Sequence, residues 1–82
     1  MLAKLYVGNL PIRFGDAELS DLFRDLGEVQ SALVILDRDD GRSRGFGFVV
    51  IQVDHVDAAI QAINGREIDG RRVRVHEAED KL

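Results

Sequence analysis

Arg44-Gly45-Phe46-Gly47-Phe48-Val49-Val50-Ile51 is the stretch whose reading decides this chain. Apolar and β-favouring residues run between turn formers, which predicts a strand. Alternation assigns Arg44, Phe46 and Phe48 to one face, and Gly45, Gly47, Val49 and Ile51 to the other. A second stretch, Leu5-Tyr6-Val7-Gly8-Asn9-Leu10, lies near the start and reads the same way. Tyr6 points to one side of it, Leu5 and Val7 to the other. Reversing the faces would bury Lys4 and Arg44 and expose Leu5, Val7, Val49 and Ile51, so the aromatics are assigned to an open face. Three aromatics beside an arginine on exposed sheet suit stacking of unpaired bases, with the arginine pairing to phosphate.

Working outward, the first strand covers about residues 4–8, and Pro11 helps to stop it. A helix is predicted from Asp16, with Gly15 at the N-cap, Glu18 reaching back to it, and Phe14 and Leu19 as a hydrophobic staple. Leu19, Leu22, Phe23 and Leu26 form its apolar stripe, and Gly27 is expected to end it in a left-handed conformation. A second strand follows over residues 29–36, with Ala32 and Val34 inward and Leu33 and Ile35 on the aromatic side. The polar loop 37–43 carries an Asp-Gly turn signal and makes the second and third strands a hairpin. Asp54 is expected to cap a second helix, whose stripe is Val56, Ala59, Ile60 and Ile63 and whose end is Asn64-Gly65. After a turn at Asp69-Gly70, the last strand points Val73 and Val75 inward and Arg72, Arg74 and His76 outward.

The element order is βαββαβ, an α+β, ferredoxin-like split βαβ sandwich with an antiparallel sheet. Each helix has one apolar stripe, and right-handed crossovers put both on the same sheet face. The other face has no cover within the chain. Gly45 and Gly47 are expected on the covered face, where a missing side chain lets a helix approach.

The two quoted stretches resemble the signature hexamer and octamer of the RNA recognition motif family. Their order resembles it too, with residues 11–43 between them, and the likeness spans roughly residues 3–78. Ile51 stands where the octamer has an aromatic, and parity sends it into the core. The resemblance implies a strand order of 4-1-3-2, which sets Tyr6, Phe46 and Phe48 side by side at the sheet centre. Isolation in a short chain and the non-aromatic Ile51 are similar to small single-domain members from bacteria, though those end in a more basic tail. An excised eukaryotic domain is the other source considered.

With 82 residues, 45% of them hydrophobic, the chain makes one small domain with a packed core. Residues 1–82 are read as that domain, with a core of about 3–78 and an acidic, flexible tail at 79–82. The tail, with Glu79 and Asp80, is expected to compete with RNA for arginines. There is no cysteine, which excludes disulfides and thiolate metal sites and suits an intracellular compartment, cytoplasmic or, for a eukaryotic domain, nuclear. No apolar run reaches membrane-spanning length, and no signal peptide is read before the first strand. The net charge of −4 argues against nucleic acid as a sum. Its distribution reverses that argument, because Asp16, Glu18, Asp21, Asp25, Asp54 and Asp57 fall on predicted helices. Lys4, Arg42, Arg44, Arg72 and Arg74 fall on strands or the adjoining loop.

Competing chemistries are weaker. Gly45-Phe46-Gly47 lacks the third glycine and the strand-to-helix turn of a dinucleotide fingerprint. His55 and His76 have no third donor at metal spacing, and no metal or cofactor is expected. Ser20, Ser31 and Ser43 lack a histidine–acid pattern, and Asp21 and Asp25 read as a solvated helix face, so no enzyme is expected. Asp37, Asp39 and Asp40 lack the calcium-loop pattern, and Arg38 and Arg42 intrude. The reading is a monomeric binder of single-stranded RNA, with single-stranded DNA as a further ligand. Tyr6, Phe46 and Phe48 would stack bases, and Arg44 would pair with phosphate. Lys4, Arg42 and Arg74 would add attraction, and Leu33, Ile35 and His76 would complete the face. The alternative is a protein-interaction module or homodimer using the same apolar face.

Overall fold

A computed structural model of the chain describes residues 1–78. Its elements are β1 (Leu2–Gly8), α1 (Asp16–Phe23), β2 (Glu28–Leu36), β3 (Ser43–Gln52), α2 (Val56–Ile63), β4 (Glu67–Ile68), β5 (Arg71–Arg72) and β6 (Arg74–Glu77). The main sheet is antiparallel in the order β2-β3-β1-β6, the expected 4-1-3-2 with β6 as the fourth long-range strand. The expectation for the tail at 79–82 lies outside the described residues.

Alternate residues of the strands feed one core. Leu5, Val7, Val49, Ile51 and Val75 are buried from the sheet, Val73 from the link just before β6, Leu19 and Phe23 from α1, and Ala59 and Ile63 from α2. Ile51 is fully buried, so the octamer's departure is a core residue. Each large side chain sealed here contributes roughly 1.5–3 kcal/mol. Both helices therefore lie on the same face.

The start of α1 follows its sequence. The Gly15 N–H donates to Glu18 Oε1 at 2.8 Å, closing the capping box, and Phe14 and Leu19 are both buried beside it. That donor, with the backbone N–H of Glu18, holds the Glu18 carboxyl below its ordinary pKa. The end of α1 departs from expectation. The helix stops at Phe23 and tightens into a 3-10 turn over Arg24–Leu26. Gly27 is extended (φ 169°), not left-handed. A Cβ there would collide with the Gln52 carbonyl oxygen, so close chain approach is what asks for glycine.

Three further expectations are corrected. The N-cap of α2 is His55, not Asp54, because the His55 carbonyl accepts the first helical bond from the Ala59 N–H. Arg72 does not continue the last strand. It pairs with Glu67 in a separate ribbon, β4–β5, whose turn at Asp69-Gly70 has φ 52° and 78°. Gly45 does not make room for a helix. It has φ +84°, at a place where the β2–β3 register slips between Val34/Gly47 and Leu36/Ser43. Gly47 does make room: a Cβ would lie 2.5 Å from the Leu33 carbonyl oxygen and 2.9 Å from Leu19 Cδ2.

The two outer strands are blunted by side chains. The Val34 N–H of β2 donates to Asp16 Oδ1 at 2.8 Å, and the Val75 N–H of β6 donates to Asn64 Oδ1 at 2.9 Å. These carbonyl and carboxylate oxygens occupy donors that an edge would otherwise offer to another chain.

Candidate nucleic-acid interface

Register fixes which side chains share the open face. Leu33 lies opposite Phe48, Phe48 opposite Tyr6, and Tyr6 opposite His76, which makes one row across the sheet. The next row sets Phe46 opposite Gly8 and Gly8 opposite Arg74. Lys4 lies opposite Val50, one step along the other way.

Tyr6 is the hub of the aromatic group. Its ring centroid lies 4.6 Å from His76 and 5.8 Å from Phe46, both stacked, and 5.9 Å from Phe48 in an edge contact. Phe46 and Phe48 meet edge-on at 6.2 Å. Lys4 Nζ sits 5.0 Å from the Phe48 centroid, a cation over a ring face. All three aromatics are half-buried, while Leu33 keeps 54% of its surface exposed and Leu36 57%. Ile35 is half-buried without packing on the core cluster.

Gly8 shapes this surface, and the sequence reading passed over it. A Cβ at Gly8 would come within 2.5 Å of the Tyr6 hydroxyl oxygen and 2.8 Å of its ring. The phenol lies along the strand over the space that a side chain would fill. The signal was present, since Gly8 shares Tyr6's face by parity.

Beside the aromatics is an open depression of about 510 Å³. Tyr6, Phe46, Gly45 and Leu10 line it together with Asn9, Arg44, Arg71 and Arg74. Arg44 and Arg74 were expected near the aromatics, whereas Asn9 and Arg71 were not. Asn9 has φ 59°, a conformation that asparagine tolerates better than most residues. Its Nδ2 donates to the Arg72 carbonyl at 2.9 Å, and its Oδ1 accepts from Arg71 Nη1 at 2.9 Å. The β4–β5 ribbon is thus tied to the end of β1. A second tie joins the same ribbon to the loop before α1, where Arg13 Nε donates to Asp69 Oδ2 at 2.5 Å. That bond lowers the Asp69 pKa and raises that of Arg13.

Arg42 stays in the hairpin loop and is not among the residues lining the depression. Its N–H donates to Asp40 Oδ1 at 2.9 Å, and its carbonyl accepts from the Asp37 N–H at 2.7 Å. The Asp37 carboxyl is held below its ordinary pKa by the N–H groups of Asp39 and Asp40, with a further contribution from the charge of Arg44. Among the described residues no cluster of His, Cys, Asp or Glu is arranged to hold a metal ion. No helix among them is long and apolar enough to cross a membrane.

This geometry coincides with a family pattern. The model of the RNA recognition motif matches residues 5–74. The chain belongs to the RNA recognition motif family. It is 51% identical over 77 residues to the 29 kDa chloroplastic ribonucleoprotein of Arabidopsis thaliana, covering 93% of this chain and 22% of that protein. It is 46% identical over 82 residues to glycine-rich RNA-binding protein 1 of Mycosarcoma maydis, covering 99% of this chain and 47% of that protein. The chain thus spans less than half the length of either relative. Among solved structures, RNA-binding protein PG1 superposes with a TM-score of 0.84 at 40% identity, covering 98% of both chains. A structure described as an "SXL-lethal protein/RNA complex" gives a TM-score of 0.87 at 29% identity, covering 100% of this chain and 50% of that one.

Proposed function

We propose that this domain, residues 1–82 with its core at about 3–78, binds single-stranded RNA on the open sheet face. The observation that carries the reading is the cluster of Tyr6, Phe46 and Phe48 on the uncovered side, with rings 5.8–6.2 Å apart. Aromatic faces stack on any unpaired base, and each stacked base contributes about 1–3 kcal/mol. Arg44 and Arg74 supply cations for phosphate beside those rings, and Lys4, over Phe48, adds a third. His76 extends the platform through its stack on Tyr6. Arg42 contributes from the hairpin loop, and Leu33 and Ile35 widen the apolar surface. Relatives named as ribonucleoproteins and RNA-binding proteins support this reading, as does a neighbour solved with RNA. The role is binding without catalysis, as a monomer inside the cell, with single-stranded DNA as a further ligand.

Exposed Leu33, with half-buried Ile35 on the same side of β2, favours a second reading, a protein interface on the same face, because the two add apolar area without donors or charge. Titration with short single-stranded RNAs at two salt concentrations separates the two. Binding that weakens as salt rises, with roughly micromolar affinity, supports the RNA reading. Self-association without RNA binding supports the other.

A further inference from the structure

The depression beside Tyr6 and Phe46 is built differently from the rest of the face. Three arginines line it, Arg44, Arg71 and Arg74. Among the described residues, Arg71 alone of these has its guanidinium held by a side-chain acceptor, through Nη1 to Asn9 Oδ1 at 2.9 Å. Asn9 is itself fixed by its bond to the Arg72 carbonyl at 2.9 Å. A phosphate needs cations nearby and tolerates mobile ones. A base edge needs a donor pair at a set angle, which a held, planar guanidinium provides. The volume of about 510 Å³ admits a nucleotide, and the depression's aromatic lining admits its ring.

We propose that this depression is a guanine-preferring subsite, in which Arg71 reads the base and Asn9 orients Arg71. The inference rests on the RNA-binding reading and adds the identity of one base to it. Arginine offers donors only, so it favours an edge made of acceptors. Guanine presents O6 and N7 side by side, whereas adenine sets an amino donor beside its N7 and repels the fork. In a single strand that edge is open to the protein. Arg44 and Arg74, which have no such restraint among the described residues, hold the flanking phosphates.

The test uses the full chain and three otherwise identical uridine-rich RNAs carrying one guanosine, one adenosine or one 7-deazaguanosine, which lacks the N7 acceptor. The guanosine RNA should bind about tenfold tighter than the adenosine RNA. The 7-deaza RNA should lose most of that advantage. R71K, which keeps the charge and loses the fork, should bring the ratio close to one while binding of the adenosine RNA holds. N9A should shrink the ratio in the same way with Arg71 intact. Equal weakening of all three RNAs in R71K would make Arg71 a phosphate contact and overturn the proposal. So would a wild-type ratio near one, or a ratio unmoved by R71K. Failure of the wild type to bind any of the three would overturn the RNA-binding reading and this inference with it.

Discussion

The two faces of the main sheet are written by the same strands in alternate residues, yet they answer to opposite demands. On the covered face Leu5, Val7, Val49 and Ile51 are sealed under Leu19, Phe23, Ala59 and Ile63, and each side chain serves burial. On the open face Tyr6, Phe46 and Phe48 touch one another but keep part of their surface in water. Even the glycines differ. Gly47 is small because Leu19 and the β2 backbone press on it, whereas Gly8 is small because the Tyr6 ring lies across it. The comparison teaches that residue type alone says little here. A phenylalanine or a glycine takes its meaning from the face it occupies.

The sharpest way to break this contrast is to remove one phenylalanine from each face. Phe23→Ala should destabilise the fold by about 3–5 kcal/mol, as cavity formation in a core does. Phe48→Ala should cost far less stability and weaken RNA binding by about 1–3 kcal/mol. Urea unfolding and RNA titration of both variants measure the two losses. Equal stability losses would show that Phe48 is core.

The glycine pair repeats the contrast with smaller effects. Gly47→Ala should destabilise by about 1–3 kcal/mol, because the new methyl meets backbone that cannot yield cheaply. Gly8→Ala should leave the unfolding midpoint nearly unchanged and displace the Tyr6 ring, since the obstacle there is the far end of a side chain. Its RNA affinity should fall by less than that of Phe48→Ala. A stable Gly47→Ala variant would mean that α1 does not press on β3 as described.

Charge should matter on one face only. Arg44→Ala should weaken binding to all RNA sequences by a similar factor and reduce the salt slope by about one contact. A loss confined to one sequence would move Arg44 from phosphate to base reading. The smallest effect is expected from acid. Glu18 and Asp37 are held below their ordinary values of 4.5 and 3.8 by backbone N–H donors, so their stabilisation is present above those values. It is lost as pH falls through the lowered folded-state values. Thermal midpoints should therefore be flat down to about pH 5 and fall below about pH 4, with Glu18→Gln falling less.

Much of this was legible in the sequence for a simple reason. Period-two alternation is enforced wherever one face is buried, so the grouping of Tyr6 with Phe46 and Phe48 followed from Val7, Val49 and Ile51 needing cover. The capping box at Gly15 and Glu18 is local chemistry and was readable as such. What escaped depended on long-range geometry. Parity could not foresee the positive φ of Gly45, which bends β3 at a register slip against β2. Arg71 could not be placed because its position depends on a two-residue turn that folds the ribbon back onto Asn9, 62 residues earlier. Asp54 and His55 compete for one cap within a single residue, a choice that the Ala59 bond settles.

The most direct test of the central claim is a backbone and aromatic NMR titration of the intact chain with a short single-stranded RNA. Signals of Tyr6, Phe46, Phe48 and His76 should shift together and saturate, while those of Leu22, Ala58 and Gln61 on the helical side stay in place. Saturable shifts centred on the helices, with the aromatic rings unmoved, would contradict the account.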